Sequence, residues 1–434
     1  MREYLEKCLK KNVWDRYIEL RGEDLSLKST IFRDDDNYVE ESKRKGVGIR
    51  AIDKKEIFLP STLVDLEKKA KKAISLAQDG EEPLKIKEIH PVETREKSSL
   101  SFPPPEESQK MLADFYWDLR ECQNGSVYMH YIEIEGKKYI KTSEGTDIEK
   151  DITFWNLSIE ISSTKDKRTI NVVEGLSSKV QRMELSGVKE SILRRLHAQL
   201  EGSKSKTGTF PCVLGPIVAA CVVHEAVGHN CEAEFADQGL YWMKEQKIAP
   251  EFVNITDDGR YPGGIGTETF DDEGVPTRKV GIIKRGILKG FLTDRIHARK
   301  MDLPLTGSLR GASFKVRPLI RMRNIILEEE SATLNELMED IKFGYFCQFP
   351  QYSRVENFRF QVGLEECYEI TRGEVGNPVI CQYLEGDTFS FLENIEAIGK
   401  DSDYANFVCE KGHKIDLTQM SPSVLMKKGG IHFH

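Results

Sequence analysis

Residues 222–234 read VVHEAVGHNCEAE, a short run that holds two imidazoles, three carboxylates and a thiol. His224 and Glu225 are adjacent, and His229 follows His224 by five positions. Zinc-protease helices carry their two histidines four apart, so that both leave one helix face. Each α-helical residue turns by ~100°, so four-apart side chains sit roughly 40° apart and five-apart ones roughly 140° apart. Imidazoles at the wider angle diverge. One extra residue accommodated as a π-type bulge brings them together again, and Gly228, just before His229, is the residue most tolerant of such a distortion.

A hydrolytic zinc site needs at least one further protein ligand and an open position for water. Cys231, Glu232 and Glu234 are candidates within the run; Cys409, in a glycine-bearing loop FVCEKGHK, and His413 are distant ones. Glu225 fits the base that takes the water's proton and later protonates the leaving amine. The bland alternative is a pair of hydrogen-bonded core histidines that happen to flank a glutamate. His90, His130, His197 and His297 read as surface or hydrogen-bonded core, and His432 and His434 as part of a frayed terminus.

These residues need elements to hold them. Ile217 to Val223 are almost all apolar and Pro216 suits a first turn, so a buried helix is expected over 217–235. Upstream, a helix is expected over 1–14, with Leu5, Cys8, Leu9 and Val13 on one face. Strands follow in RYIELRGEDLSLKST, YVEES and GVGIRAI, then a helix in STLVDLEKKAKKAISLAQ capped by Thr62. A helix carries Met111, Leu112, Phe115, Tyr116 and Leu119. Long strands cover SVYMHYIEIEGKKYIKTSEG and TFWNLSIEISSTKDKRTINVVEG, and a helix through Val188, Ile192, Leu196 and Leu200 ends near Gly202.

The polar stretch EGSKSKTGTFP is the expected domain boundary. It divides an amino-terminal α/β region, 1–205, itself divisible into 1–95 and 96–205, from a β-rich catalytic domain, 206–434. The fold class is α+β, with one buried motif helix and a shorter helix near TLNELMEDIKFG. The strands expected beyond the boundary are VGIIKRGILKGFL, VRPLIRMRNIIL, FRFQVGLEECYEI and EVGNPVICQYLEG. Residues 257–276, DDGRYPGGIGTETFDDEGVP, match neither a Walker loop nor an EF-hand and read as a long ordered loop between strands.

The chain of 434 residues is long enough for two or three domains, and 39% apolar with 31% charged residues reads as globular. A net charge of −8 gives no electrostatic reason for direct nucleic-acid binding. The longest uncharged apolar run, FPCVLGPIVAACVV, is too short for a bilayer and is interrupted by proline and glycine. The start lacks the apolar core of a signal peptide, so a cytoplasmic location without membrane attachment is expected. Nine scattered cysteines without a C-x-x-C pair read mostly as reduced, buried hydrophobes.

HEAVGH at 224–229, the 257–276 stretch, GILKGFLTDRIHA, TGSLRG, IRMRN and CEKGHK, with TSEGT and GVGIR upstream, occur in an order that resembles the TldD/PmbA family, the modulators of DNA gyrase. The resemblance covers nearly the whole chain. It implies the TldD-type catalytic branch, a zinc metalloprotease that cleaves unfolded or flexible polypeptides. It further implies Zn2+ held by His224, His229 and Cys409, with Glu225 activating water. The family's fold pairs an α/β front with a β-rich catalytic region. Its catalytic members assemble with a motif-lacking TldE/PmbA-type relative, so a dimer with such a paralogue or with a second copy is expected. The competing reading is a non-proteolytic modulator of gyrase or of a toxin–antitoxin component, with a structural zinc. The chain departs from the family pattern at Asn230 and Cys231, where glycine and leucine are usual. It departs again at Cys409-Glu410-Lys411-Gly412-His413, one residue shorter than the usual loop.

Overall fold

The protein's structure, a computed structural model, describes residues 1–10, 16–34, 36–122, 125–165, 168–236 and 240–434. It is a mixture of helices and predominantly antiparallel strands, as an α+β chain should be.

Seven strands of the amino-terminal half form one sheet among the described residues: β1 (Tyr17–Arg33), β2 (Asp36–Ile52), β3 (Glu56–Ser61), β4 (Glu93–Glu96), β5 (Gly125–Thr142), β6 (Asp147–Lys165) and β7 (Arg168–Ser178). Their order is β3-β2-β1-β5-β6-β4, with β7 also on β6, and only β4 runs parallel to its neighbour. YVEES and GVGIRAI prove to be one strand, because β2 pairs with β1 without a register break from Asp36 to Ile52. Four helices cover the sheet: α1 (Arg2–Lys10), α2 (Leu66–Ala77), α3 (Pro105–Glu121) and α4 (Val188–Glu201). The helix expected over 1–14 is thus shorter, and Val13 lies outside the described residues. Thr62 does not cap α2; Asp65 holds the N-cap position, and the Thr62 hydroxyl donates to its carboxylate at 3.4 Å. Leu5, Leu66, Ala70 and Ala73 close one core over β1 and β2, while Leu112, Tyr116, Leu119 and Ile192 close another over β5 and β6.

The remaining residues build two main sheets, of ten and six strands, around a buried helix, α5 (Pro216–Val223). Short strands come first: β8 (Ser203–Lys204), β9 (Gly208–Thr209) and β10 (Cys212–Leu214). Then follow β11 (Ile255–Asp258), β12 (Lys279–Lys284), β13 (Ile287–Leu288), β14 (Leu309–Arg310), β15 (Leu319–Ile320) and β16 (Asn324–Leu327). The last run holds β17 (Phe343–Glu356), β18 (Arg359–Thr371), β19 (Glu374–Ile380), β20 (Tyr383–Asp387) and β21 (Ile395–Ile398). It ends with β22 (Asp403–Lys411), β23 (His413–Ser421), β24 (Val424–Met426) and β25 (His432–Phe433).

One sheet runs β21-β24-β10-β17-β18-β20-β25-β9, and another runs β13-β12-β11-β16-β23-β22. Helix α5 packs against β17 and β18 of the first and β16, β22 and β23 of the second. Being apolar on every side, it suits that double burial, and Ile217 to Val223 are all buried. Short helices α6 (Ala233–Ala236), α7 (Arg295–Lys300), α8 (Leu334–Met338) and α9 (Thr388–Glu393) complete the chain. Among the described residues no helix is long and apolar enough to cross a membrane.

Beyond Asp258, the last residue of β11, the 257–276 stretch is an ordered loop, and three of its carboxylates, Glu268, Asp272 and Glu273, face the amino-terminal sheet. Arg50 of β2, fully buried, reaches Glu273 at 2.6 Å and Glu19 at 3.3 Å; Arg21 of β1 reaches Asp272 at 2.8 Å; Lys150 of β6 reaches Glu268 at 2.5 Å. GVGIR has a steric part here too: a Cβ on Gly46 would lie 2.2 Å from the Phe314 ring.

Candidate metal centre

Helix α5 does not continue through the motif. His224 to Gly228 form a π-helical turn, in which the His229 N–H donates to the carbonyl of His224, and His229 to Cys231 form a 3-10 turn. The expected helix over 217–235 is therefore not continuous: it passes from α to π to 3-10 winding, ends at Cys231, is interrupted by extended Glu232 and resumes as the separate short helix Ala233–Ala236. The extra residue of the π turn restores the convergence that five-residue spacing denies. The His224 and His229 rings meet edge to face with centroids 4.6 Å apart.

Gly228 has a different reason to be glycine from the one expected. Its φ and ψ are both −56°, which any residue adopts, but a Cβ there would lie 2.0 Å from the Met322 sulfur and 2.9 Å from Ile325. Close approach, not conformational freedom, excludes a side chain. Asn230 donates its amide to the Ala226 carbonyl at 2.9 Å, and the Thr388 hydroxyl donates to the same oxygen at 2.7 Å. A carbonyl within the irregular turn is thereby satisfied.

The third member arrives from strand β22. Cys409 lies on a strand and not in a loop, since β22 and β23 form a hairpin that turns at Gly412, with φ +71°. Its Sγ is 3.3 Å from His229 Nε2. Buried Arg321, from the IRMRN stretch, fixes the hairpin by donating to the carbonyls of Cys409 at 2.7 Å, His413 at 2.9 Å and Lys411 at 3.2 Å. Ligand-capable atoms of His224, His229 and Cys409 all lie within 4.8 Å of one another.

The other sequence candidates fall outside that trio. Cys231 is fully buried in the apolar core, which pushes its thiol far up. Glu232 carries the orientation of His229: its Oε2 lies 3.0 Å from Nδ1, which leaves Nε2 turned to Cys409. Lys411 donates to the same Glu232 oxygen at 2.8 Å and also to Glu234. His413 is half-buried beside Arg321, and burial with that charge pushes it down to about 4. His297 is hydrogen-bonded to Asp294 at 2.8 Å, while His90 and His197 are exposed. His432 and His434 are not frayed: they lie in or beside β25.

Electrostatics separate the two imidazoles. Burial, with His229 and Arg321 nearby, holds His224 far below its ordinary value. Burial opposes charge on His229 as well, but Glu232 and Cys409 together outweigh it and push His229 up to about 10. Burial would raise Glu232, yet Lys411 and His229 hold it below the usual range. Glu225 is raised by burial, against the pull of His229 and of the Ser353 hydroxyl, which donates to Oε1 at 2.6 Å.

Does this set fit zinc? Two imidazoles and a thiol are zinc donors, and a carboxylate behind one imidazole is the usual orienting partner. His224 Nδ1 is buried without a hydrogen-bond partner among the described residues. The fit is good.

Sequence reasoning missed Ser353, because β17 was not expected as a strand. Pro350 interrupts it, and the structure places that proline where the register with β18 shifts. Aromatic FGYFCQF just upstream was the available signal.

Residues 207–431 match the PmbA/TldA metallopeptidase C-terminal domain. A zinc metalloprotease TldD homolog of Saccharolobus solfataricus is 35% identical over 310 residues, 69% of each chain. The chain belongs to the PmbA/TldD metallopeptidase family. Another relative, a metalloprotease of Methanocaldococcus jannaschii, is 30% identical over 318 residues, 70% of this chain and 69% of that one. Among solved structures, a Bacteroides thetaiotaomicron protein described as a modulator of DNA gyrase shares the fold at a TM-score of 0.78, with 17% identity over 100% of this chain and 98% of that one. TldE from Thermococcus kodakarensis does so at 0.73, with 18% identity over 99% of both chains. PmbA/TldD membership gives the His-His-Cys cluster a metallopeptidase context.

Proposed function

We propose that the chain is a zinc-dependent metallopeptidase that hydrolyses peptide bonds in unfolded or flexible polypeptides. His224, His229 and Cys409 hold the ion, and Glu225 is the base. A zinc ion held there supplies Lewis acidity toward water and toward the scissile carbonyl. Glu225 takes the proton of the attacking water and passes it to the leaving amine, and a carboxyl raised by burial exchanges protons nearer neutrality. Ser353 holds Oε1, which leaves Oε2 for that exchange. Glu232 keeps His229 Nε2 aimed inward, and Lys411 holds Glu232 in turn.

The observation that carries this reading is where the cluster sits. It forms the floor of a groove of about 720 Å³ bounded by residues 350–358 on one side and 407–411 on the other. Both walls are strand edges. Strand β22 is the last in its sheet, and β10 covers β17 only at residues 345–347. An extended chain can add alongside such edges through its backbone, which favours unfolded substrates over folded ones.

The proposed organisation is an amino-terminal region, 1–205, joined to a catalytic domain, 206–434. The proposed assembly is a dimer with a motif-lacking relative of the TldE kind or with a second copy. A reduced thiol ligand suits the cytoplasm. The test is incubation with unfolded casein, with fragments read by mass spectrometry, for wild type and Glu225→Ala. Wild type should cut casein, and the variant should lose about 10²–10⁴-fold in turnover while keeping its zinc. A regulator with a structural ion would show no cutting in either protein.

A further inference from the structure

A second set of metal-ligating side chains converges at the end of the chain. Glu385, His432 and His434 bring ligand-capable atoms within 4.8 Å of one another. Strand β25 runs antiparallel to β20 with His432 opposite Glu385. Strand side chains alternate between faces, so His432 and His434 leave one face while Phe433 between them enters the core, fully buried. Glu385 joins the two histidines as a cross-strand neighbour. The Tyr383 ring stacks on His434 with centroids 4.3 Å apart and planes 23° apart, which fixes the imidazole plane.

Protons alone serve this arrangement poorly. His434 Nε2 lies 3.0 Å from His432 Nδ1 and 3.0 Å from Glu385 Oε1. A ring nitrogen carries at most one hydrogen. If Nε2 is protonated, that hydrogen must be divided between two acceptors. If His432 Nδ1 donates instead, the unprotonated Nε2 faces a carboxylate oxygen, lone pair against lone pair. A cation shared by all three takes the facing lone pairs of His432 Nδ1, His434 Nε2 and Glu385 Oε1 at once.

We propose that Glu385, His432 and His434 form a second metal site, for a divalent first-row ion that prefers imidazole, such as Zn2+. The site is separate in its residues from the His224–His229–Cys409 cluster and contains no sulfur ligand. Side chains of His434 and Glu385 are 27% and 33% exposed, so the ion loads from solvent and keeps open coordination positions. It acts as a clasp between β25 and β20. Strand β20 leads directly into α9, whose first residue, Thr388, bonds the motif turn at Ala226.

The test is a titration of the chelator-stripped full-length protein with Co2+, followed by absorption. Wild type should take up one more equivalent than His432→Ala/His434→Ala, and the extra equivalent should lack sulfur-to-cobalt charge transfer. Glu385→Gln, which keeps the side-chain shape, should weaken that equivalent by roughly tenfold or more. Equal stoichiometry in wild type and in a folded double variant overturns the proposal. Should the double variant fail to fold, an unchanged affinity of Glu385→Gln for every equivalent overturns it as well.

Discussion

Ser353 and Glu225 come from segments more than a hundred residues apart, yet the hydroxyl lies 2.6 Å from the carboxylate it orients. A hydrogen bond to a charged acceptor is worth ~1.5–3 kcal/mol, and in the proposed mechanism part of that holds Glu225 where the attacking water must be. Replacing Ser353 with alanine should lower kcat by about tenfold, the equivalent of ~1.4 kcal/mol, with KM and zinc content unchanged. Steady-state kinetics and metal analysis on one preparation check this; a wild-type kcat would mean that Glu225 orients itself. The cluster was legible only in part: the motif drew attention to His224, Glu225 and His229, while Cys409 stood as one of several candidate third ligands until family resemblance singled it out, and the structure brings it within reach of both histidines. Ser353 was not legible, since its partner lies across the groove and spacing rules see only one element at a time.

At the scale of elements, the proposed metal centre depends on a helix that is interrupted between its two histidines. Winding His224–Gly228 as a π turn swings His229 back toward His224, and Met322 fills the space that a side chain at position 228 would need. Gly228→Ala should therefore cost ~1–3 kcal/mol by overpacking and lower zinc occupancy. Pairing it with Met322→Ala should restore occupancy in part, read by metal analysis. Full occupancy in the single variant would show that the turn tolerates displacement. Sequence periodicity foresaw the buried helix and the need for a bulge, but assigned Gly228 its role for the wrong reason. Only the packed neighbour reveals close approach. Likewise Cys409 read as a loop residue, because the glycine at 412 marks the hairpin tip and not the strand leading into it.

Across the whole molecule, buried ion pairs join the amino-terminal sheet to the loop that follows β11. Burial would raise the Glu268 carboxyl, but Lys150 and Lys179 hold it far below its ordinary 4.5. A depressed carboxyl contributes stability that is fully present above its unfolded value and is lost as pH falls through the folded one. Thermal stability should accordingly drop below about pH 4.5, and Glu268→Gln should cost ~1–3 kcal/mol at neutral pH while flattening that acid limb. Melting curves across pH 3–8 for both proteins, roughly the range in which carboxylates change charge, measure it; parallel curves would remove Glu268 from the joint. The contacts from the sheet to this loop link residues 118 to 251 positions apart, and the acidic 257–276 stretch gave no hint of which cations it would meet.

The central claim is one zinc ion shared by an interrupted helix and a strand near the carboxyl end. A crystal of the protein grown with zinc, with anomalous scattering collected at the zinc edge, tests it most directly. The account predicts a peak within about 2.0–2.3 Å of imidazole nitrogens of His224 and His229 and of Cys409 Sγ. A map with no peak touching all three residues would contradict it.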